Sequence, residues 1–241
     1  MFPQSSSLSD AVLPNIAIDG PAGAGKTTIA RAIARELNYR HIDSGAMYRA
    51  VTLLALNHDL KQEIHNEEQI HPLASELDIE FAINPQGEMR VLVQGCDCTE
   101  ALRTSEIDRH VSVIASMAKV REELVSKQQE LAEDGGVVMD GRDIGTHVLK
   151  NAQVKVFLTA AIPVRVHRRL RQHRCNGVHL TWQQAAESVI KRDRIDSTRK
   201  ISPLKASDDA IIIESTHLTV EDVVSQVRFI LQSRMNCADR E

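Results

Sequence analysis

Aromatic residues are scarce: Phe, Trp and Tyr make up 3% of the 241 residues. That leaves few platforms on which exposed bases could stack. Positive charge is not in excess either. The formal net charge is −4, so no global field draws the chain to nucleic acid. No apolar run approaches the roughly 18 residues that a membrane-spanning helix needs. The first ten residues, MFPQSSSLSD, lack the basic start and apolar centre of a secretory leader and read as a loose polar tail. Cysteine is sparse, and Cys96, Cys98, Cys175 and Cys237 fit neither a zinc nor a redox spacing. Cys96 and Cys98 are too close for an ordinary bridge. Reduced thiols and a cytoplasmic location are therefore expected. The apolar content of 42% suffices for one large domain, or for a domain with an insertion.

Short apolar runs recur along the chain. NIAID (15–19), YRHID (39–43), GVVMD (136–140), QVKVFL (153–158) and AIIIE (210–214) read as strands, and four of these five end at or near an acidic residue. Helical patterns lie between several of them. Ile29, Ile33 and Leu37 form one stripe, and Val220, Val223, Val224, Val227 and Leu231 form another. Strands that alternate with helices predict a parallel sheet covered on both faces. Residues 76–104 break this rhythm. Ile79, Phe81 and Ile83 alternate with polar neighbours, NPQG makes a turn, and EMRVLVQG answers it. That is an antiparallel, half-buried hairpin, expected as part of an insertion over roughly 60–110.

Between the first strand and its helix the chain runs Gly20, Pro21, Ala22, Gly23, Ala24, Gly25, Lys26, Thr27. This fits G-x-x-x-x-G-K-[ST] in the context the motif requires. Glycines let successive N–H groups turn inward around an anion, and the helix that follows points its positive end at the same spot. Lys26 is placed to reach the outer phosphates of a nucleoside triphosphate, and Thr27 to hold Mg²⁺. No N-K-x-D base reader of a GTPase is present.

A second anion site is expected nearby. DSGAMYR supplies Asp43, Ser44 and Arg49 after the second strand; GRDIGT supplies Arg142 and Asp143 after the third. Ligands of open α/β sheets collect beyond the carboxyl ends of the strands. The run 164–180 is dense in arginine, including Arg165, Arg168, Arg169, Arg171 and Arg174, and fits a mobile lid that brings cations over a transferring group. Arg192, Asp196 and Arg199 share one helix face by their spacing.

These segments resemble the bacterial cytidylate kinases, a family of P-loop nucleoside monophosphate kinases. The resemblance rests on IAIDGPAGAGKTT, DSGAMYRA, VSVIASMAKVRE, DGRDIGT, VFLTA, RDRIDSTR and PLKASDDAIIIEST, and runs from about Asn15 to the C-terminal helix. It implies a P-loop kinase α/β fold: a five-stranded parallel sheet with helices on both faces, a small antiparallel acceptor-binding insertion and an arginine-rich helical lid. The expected divisions are a flexible tail at 1–14, a core of 15–60, 110–160 and 200–241, an insertion at 61–109 and a lid at 161–199. By the same resemblance, Gly20 to Thr28 hold the ATP donor, with Arg165 and Arg169 in the lid. Ser44, Arg49, Arg142 and Arg192 grip the acceptor phosphate and its neighbourhood. Ser112, Arg121 and Asp143 face the cytosine ring. Asp196, with Arg199 beside it, holds the sugar hydroxyl or the phosphate region. The implied catalytic side chains are Lys26, Arg142 and Arg192.

The expected reaction moves the γ-phosphoryl group of ATP, with Mg²⁺, to CMP or dCMP in a monomeric enzyme. An anionic acceptor needs no general base, and cations must offset the repulsion between two phosphates. Two other readings stay open. A kinase acting on another nucleotide or on a metabolite hydroxyl would be exposed by an acceptor screen, since a hydroxyl needs a carboxylate base. A non-catalytic switch would bind ATP without releasing ADP.

Overall fold

The computed structural model describes residues 13–175 and 177–238, without the side chains of 236–238. Most of the expected tail, and the side chain of Cys237, lie outside the described residues. At residue 13 the chain already meets the sheet: Gly136 N–H donates to the Leu13 carbonyl at 3.1 Å.

All five expected strands form one parallel sheet. They are β1 (Ile16–Asp19), β2 (Arg40–Asp43), β6 (Val137–Gly141), β7 (Val154–Thr159) and β8 (Ile211–Glu214), in the order β2-β6-β1-β7-β8. The alternation of strand side chains sorts two cores. Ile16, Ile18, Val138, Val156 and Leu158 face helices α1 (Lys26–Leu37) and α8 (Val220–Ala238). Ala17, Ile42, Val137 and Met139 face the other way, against Ile144 and Val148. The stripes expected on α1 and α8 serve the first core: Ile29, Ile33, Val223, Val224, Val227 and Leu231 are buried. Val220 is the exception. It begins α8 exposed, among the residues that line a cleft.

The segment between β2 and β6 builds a third core. It contains α2 (Ser44–Asn57), α3 (Glu67–Ser75), the strands β3 (Ile79–Ile83), β4 (Met89–Val93) and β5 (Cys96–Asp97), then α4 (Ser105–Ile114) and α5 (Ala118–Leu131). The expected hairpin is β3 and β4. Cys96 and Asp97 add a third antiparallel strand, too short to show as a pattern. Ile79 and Phe81 pack inward, whereas Ile83, beside the turn, is 75% exposed.

Helices α6 (Ile162–Cys175) and α7 (Trp182–Thr198) form an arm between β7 and β8. Its own apolar centre is small, with Val166, Ala185 and Val189 buried. A reciprocal cap between Thr181 and Gln184 starts α7. Few buried apolar contacts make such an arm the element most easily opened.

The carboxyl ends of β1, β2 and β6 align, with Asp43 beside Asp140 and Asp19 beside Gly141. Asp19 fixes this corner. Its two oxygens accept the N–H groups of Ile144 and Gly145, each at 2.8 Å. Burial pushes its carboxyl up to about 6 even though these two bonds favour the anion. Asp19→Asn keeps one acceptor and points an amide donor at the second N–H. We expect a loss of about 1–3 kcal/mol in urea unfolding; an unchanged midpoint and slope would show that Asp19 does not hold the corner.

Candidate active site

A cleft of about 670 Å³ opens along the carboxyl ends of the strands. The glycine loop forms one wall, and its shape needs glycine at particular points. Gly20 has φ +149°, and a Cβ there would lie 1.9 Å from the Leu158 carbonyl oxygen. Gly25, the residue that caps α1, has φ +97°. Both conformations are strained for any residue with a side chain. The loop therefore lies against β7 and delivers Lys26 and Thr27 to the first turn of α1 with no side-chain cap over its N–H groups.

Lys26 is buried, and its ammonium donates to the Pro21 carbonyl at 3.0 Å. Burial, then the Arg142 charge, lowers it to about 7, with Asp140 opposing. Thr27 Oγ1 donates to Asp140 Oδ2 at 2.7 Å, and His41 Nε2 lies 2.7 Å from Asp140 Oδ1. Burial alone would raise the Asp140 carboxyl, but the His41 hydrogen bond, Lys26 and Thr27 hold it below its ordinary value. Ser44 Oγ donates to the Asp140 carbonyl at 2.7 Å. Asp43 caps α2 by accepting from Ala46 N–H, and burial followed by the Asp140 charge pushes it up.

The far wall holds the residues expected to face the acceptor. Arg121 Nη2 donates to Asp143 Oδ2, and Arg199 Nη2 donates to Asp143 Oδ1 at 3.1 Å. Ser112, on α4, also lines the cleft. Arg142 Nε donates to Asp196 Oδ2 at 2.7 Å. Arg49 Nη2 donates to Asp108 at 2.6 Å and its Nη1 to the Leu102 carbonyl at 3.0 Å. Arg192, Asp196 and Arg199 all turn toward the cleft, yet none pairs with another of the three. Arg192 meets Asp108, Asp196 meets Arg142, and Arg199 meets Asp143. Arg199 stands one position beyond the end of α7.

The two expected lid arginines part company. Arg169 turns into the cleft and binds Asp108. Arg165 braces the glycine loop from behind. Its nitrogens donate to the Ala160 carbonyl, the Ala22 carbonyl at 3.0 Å and Asp193. Asp193 in turn accepts the Ala22 N–H at 2.9 Å, and Arg168 donates to the Ala24 carbonyl at 2.8 Å. Arg168, expected over the transferring group with the rest of its run, instead braces the loop beside Arg165. Asp108, Asp193, His41 and Asp140 are the residues to which the sequence assigned no role. Only Asp140 left a trace there, as the acidic end of an apolar strand.

Cations dominate the centre. Burial, followed by the charges of Arg49, Arg142 and Arg169, pushes Arg192 down to about 9, and Asp108 opposes that shift. Guanidinium groups packed out of water at this density stabilise added negative charge.

Residues 16–233 match the protein-family model described as "Cytidylate kinase". The curated cytidylate kinase of Bacillus licheniformis is 46% identical over 219 residues, covering 91% of this chain and 96% of that protein. The cytidylate kinase of Anoxybacillus flavithermus is 45% identical over 221 residues, covering 92% of this chain and 97% of that protein. Among solved structures, an uncharacterized protein from Eubacterium ventriosum is similar in fold, with a TM-score of 0.52 at 11% identity, covering 92% of this chain and 99% of that one.

Lys26 supplies a test of the glycine-loop wall. Its value in the folded chain, about 7, lies below the ordinary 10.5. The unfolded chain therefore binds more protons between those values, and this group makes stability rise with pH across that window. A polyphosphate beside the ammonium reverses the shift, so binding at pH 8 must take up protons. Calorimetry with inorganic tripolyphosphate, in buffers of different ionisation enthalpy, should show an uptake of up to about one proton. The uptake should vanish in Lys26→Met. Binding without proton uptake would remove Lys26 from the anion's surroundings.

Proposed function

The chain belongs to the cytidylate kinase family, and we propose that this cleft performs the family's reaction with the side chains described above. The enzyme is an ATP-dependent nucleoside monophosphate kinase that converts ATP and CMP to ADP and CDP; acceptance of dCMP is part of the proposal. The observation that carries the assignment of parts is the crowd of buried cations between the glycine loop and the Ser112–Arg121–Asp143 wall.

In this reading the loop from Gly20 to Thr28 cradles the donor phosphates, and Lys26 swings from Pro21 to the outer ones. Arg49, Arg142 and Arg192 receive the acceptor phosphate, with Ser44 at its edge. The two phosphates repel in water. Between these cations they can approach in line, and the transition-state charge is stabilised where it develops. The acceptor oxygen is already anionic, so no side chain removes a proton. Consistent with this, Asp108, Asp143 and Asp196 are all tied to arginines, and Asp140 to Thr27 and His41. Residues 161–199 act as the lid, and its closure keeps water from taking the phosphoryl group. Residues 61–109 belong to the acceptor-binding side. Action as a monomer in the cytoplasm is part of the proposal; one chain supplies every group named for the reaction.

The pair Thr27 and Asp140 suits Mg²⁺: a hydroxyl and a buried anionic carboxylate are hard oxygen donors beside the phosphate loop. Among the described residues no cluster of three or more His, Cys, Asp or Glu could hold a metal without the nucleotide. Thr27, oriented by Asp140, would hold Mg²⁺ together with the donor, and bound Mg²⁺ supplies charge neutralisation on the phosphates.

Base choice follows from Asp143. Cytosine offers an amino donor where uracil offers a carbonyl acceptor. The carboxylate fixed by Arg121 and Arg199 pairs with the amine and meets lone pairs on uracil. A polar group left unpaired in a buried site rejects the wrong ligand strongly. The test is ADP release, coupled to a reporter enzyme, over CMP, dCMP, UMP and AMP; no turnover with CMP would defeat the assignment. In Asp143→Asn the amide can turn either its oxygen or its nitrogen toward the base. The ratio of kcat/KM for CMP over UMP should then fall by about tenfold or more. Equal losses for both acceptors would transfer Asp143 to phosphate chemistry.

A further inference from the structure

One carboxylate in the cleft has no part in the chemistry just described. Asp108 lies in the first turn of α4. Its carboxylate accepts from Arg49 at 2.6 Å, from Arg169, and from Arg192 at 3.5 Å, and His173 Nε2 stands 3.6 Å away. These partners come from α2, α6 and α7, so one side chain joins the acceptor side to both lid helices. Burial alone would raise the carboxyl, but Arg49, Arg169 and Arg192 hold it at about 2. It is therefore an anion near neutral pH.

Arg49 and Arg192 are also two of the side chains assigned to the acceptor phosphate. Arg49 has one guanidinium nitrogen on the Leu102 carbonyl and another on Asp108. A phosphate dianion placed on the same face competes for those N–H groups, and two anions sharing one guanidinium repel each other. Without any carboxylate, three guanidinium groups would face one another unbalanced.

We infer that Asp108 is a positioning residue that stands in for the acceptor phosphate, gathering Arg49, Arg169 and Arg192 and yielding Arg49 and Arg192 when the phosphate arrives. The inference rests on the acceptor reading of those two arginines. Acceptor binding is then an exchange of one anion for another, and its affinity is set below what the arginines alone would give. The same exchange helps release the product, whose phosphates must leave the same cations. Lid position is tied to it as well, because Arg169 and Arg192 sit on α6 and α7.

The test compares CMP with cytidine, which shares the base and sugar but carries no phosphate. In Asp108→Asn the competing charge is gone. The Kd and KM for CMP should fall about tenfold, while the Kd for cytidine stays as in the unaltered enzyme. A purely structural role would weaken both ligands. Weaker CMP binding, or equal shifts for CMP and cytidine, would overturn the inference. Should the variant not fold, the unaltered enzyme decides: in its structure with CMP, Arg49 should have left Asp108 for the phosphate. Retention of the Arg49–Asp108 bond beside a bound phosphate would overturn it equally. A failure of the unaltered enzyme to bind CMP at all would instead strike at the functional reading.

Discussion

Positive charge held out of water is the constraint around which this cleft is arranged. A phosphoryl-transfer site needs cations on both sides of the moving group, but charges removed from solvent carry a large penalty unless they are paired. The chain answers with carboxylates set between the cations. Asp143 takes Arg121 and Arg199, Asp196 takes Arg142, Asp108 takes Arg49 and Arg169, and Asp140 sits beside Lys26. Pairing is incomplete at Arg192 and Lys26, which remain pushed toward their neutral forms. That shortfall is what substrates carrying negative charge can supply.

The fold serves the same constraint. The aligned ends of β1, β2 and β6 place Asp19, Asp43 and Asp140 in a row. Asp19 faces backbone, and the other two face the cleft. A core of α2 to α5 with the small sheet carries Arg49, Asp108, Ser112 and Arg121, while the arm of α6 and α7 carries Arg169, Arg192 and Asp196. Each body has its own apolar centre, and that of the arm is small. Polar ties at Asp108, Asp193 and Arg142 thus carry much of the link between arm and core, and polar ties can be exchanged for ligand contacts.

What was legible in the sequence had short-range causes. The strands follow from apolar runs, α1 and α8 from their stripes, and the β3–β4 hairpin from alternation around NPQG. β5 escaped because two residues make no period. Ile83 continues the apolar alternation yet lies 75% exposed, because alternation ignores where the strand reaches its turn. Most of the cleft residues came from segments that follow strands, but their partners did not. Arg192, Asp196 and Arg199 share a face as their spacing implies, yet each binds a different element. Arg165 and Arg169, four apart on one helix, end on opposite sides of the glycine loop's wall.

By itself the sequence determined the phosphate loop, because its geometry depends on glycines and a helix start within nine residues, and it determined the parallel α/β class through the repetition of strands and helices. The tertiary structure alone decided the charge pairing. Asp108 meets arginines 59 and 61 positions away, and Thr27 meets Asp140 across 113. A lone aspartate in a helix carries no local sign of such partners. Coulomb energy depends on distance in space and on exclusion of water, and both quantities exist only once the chain has folded.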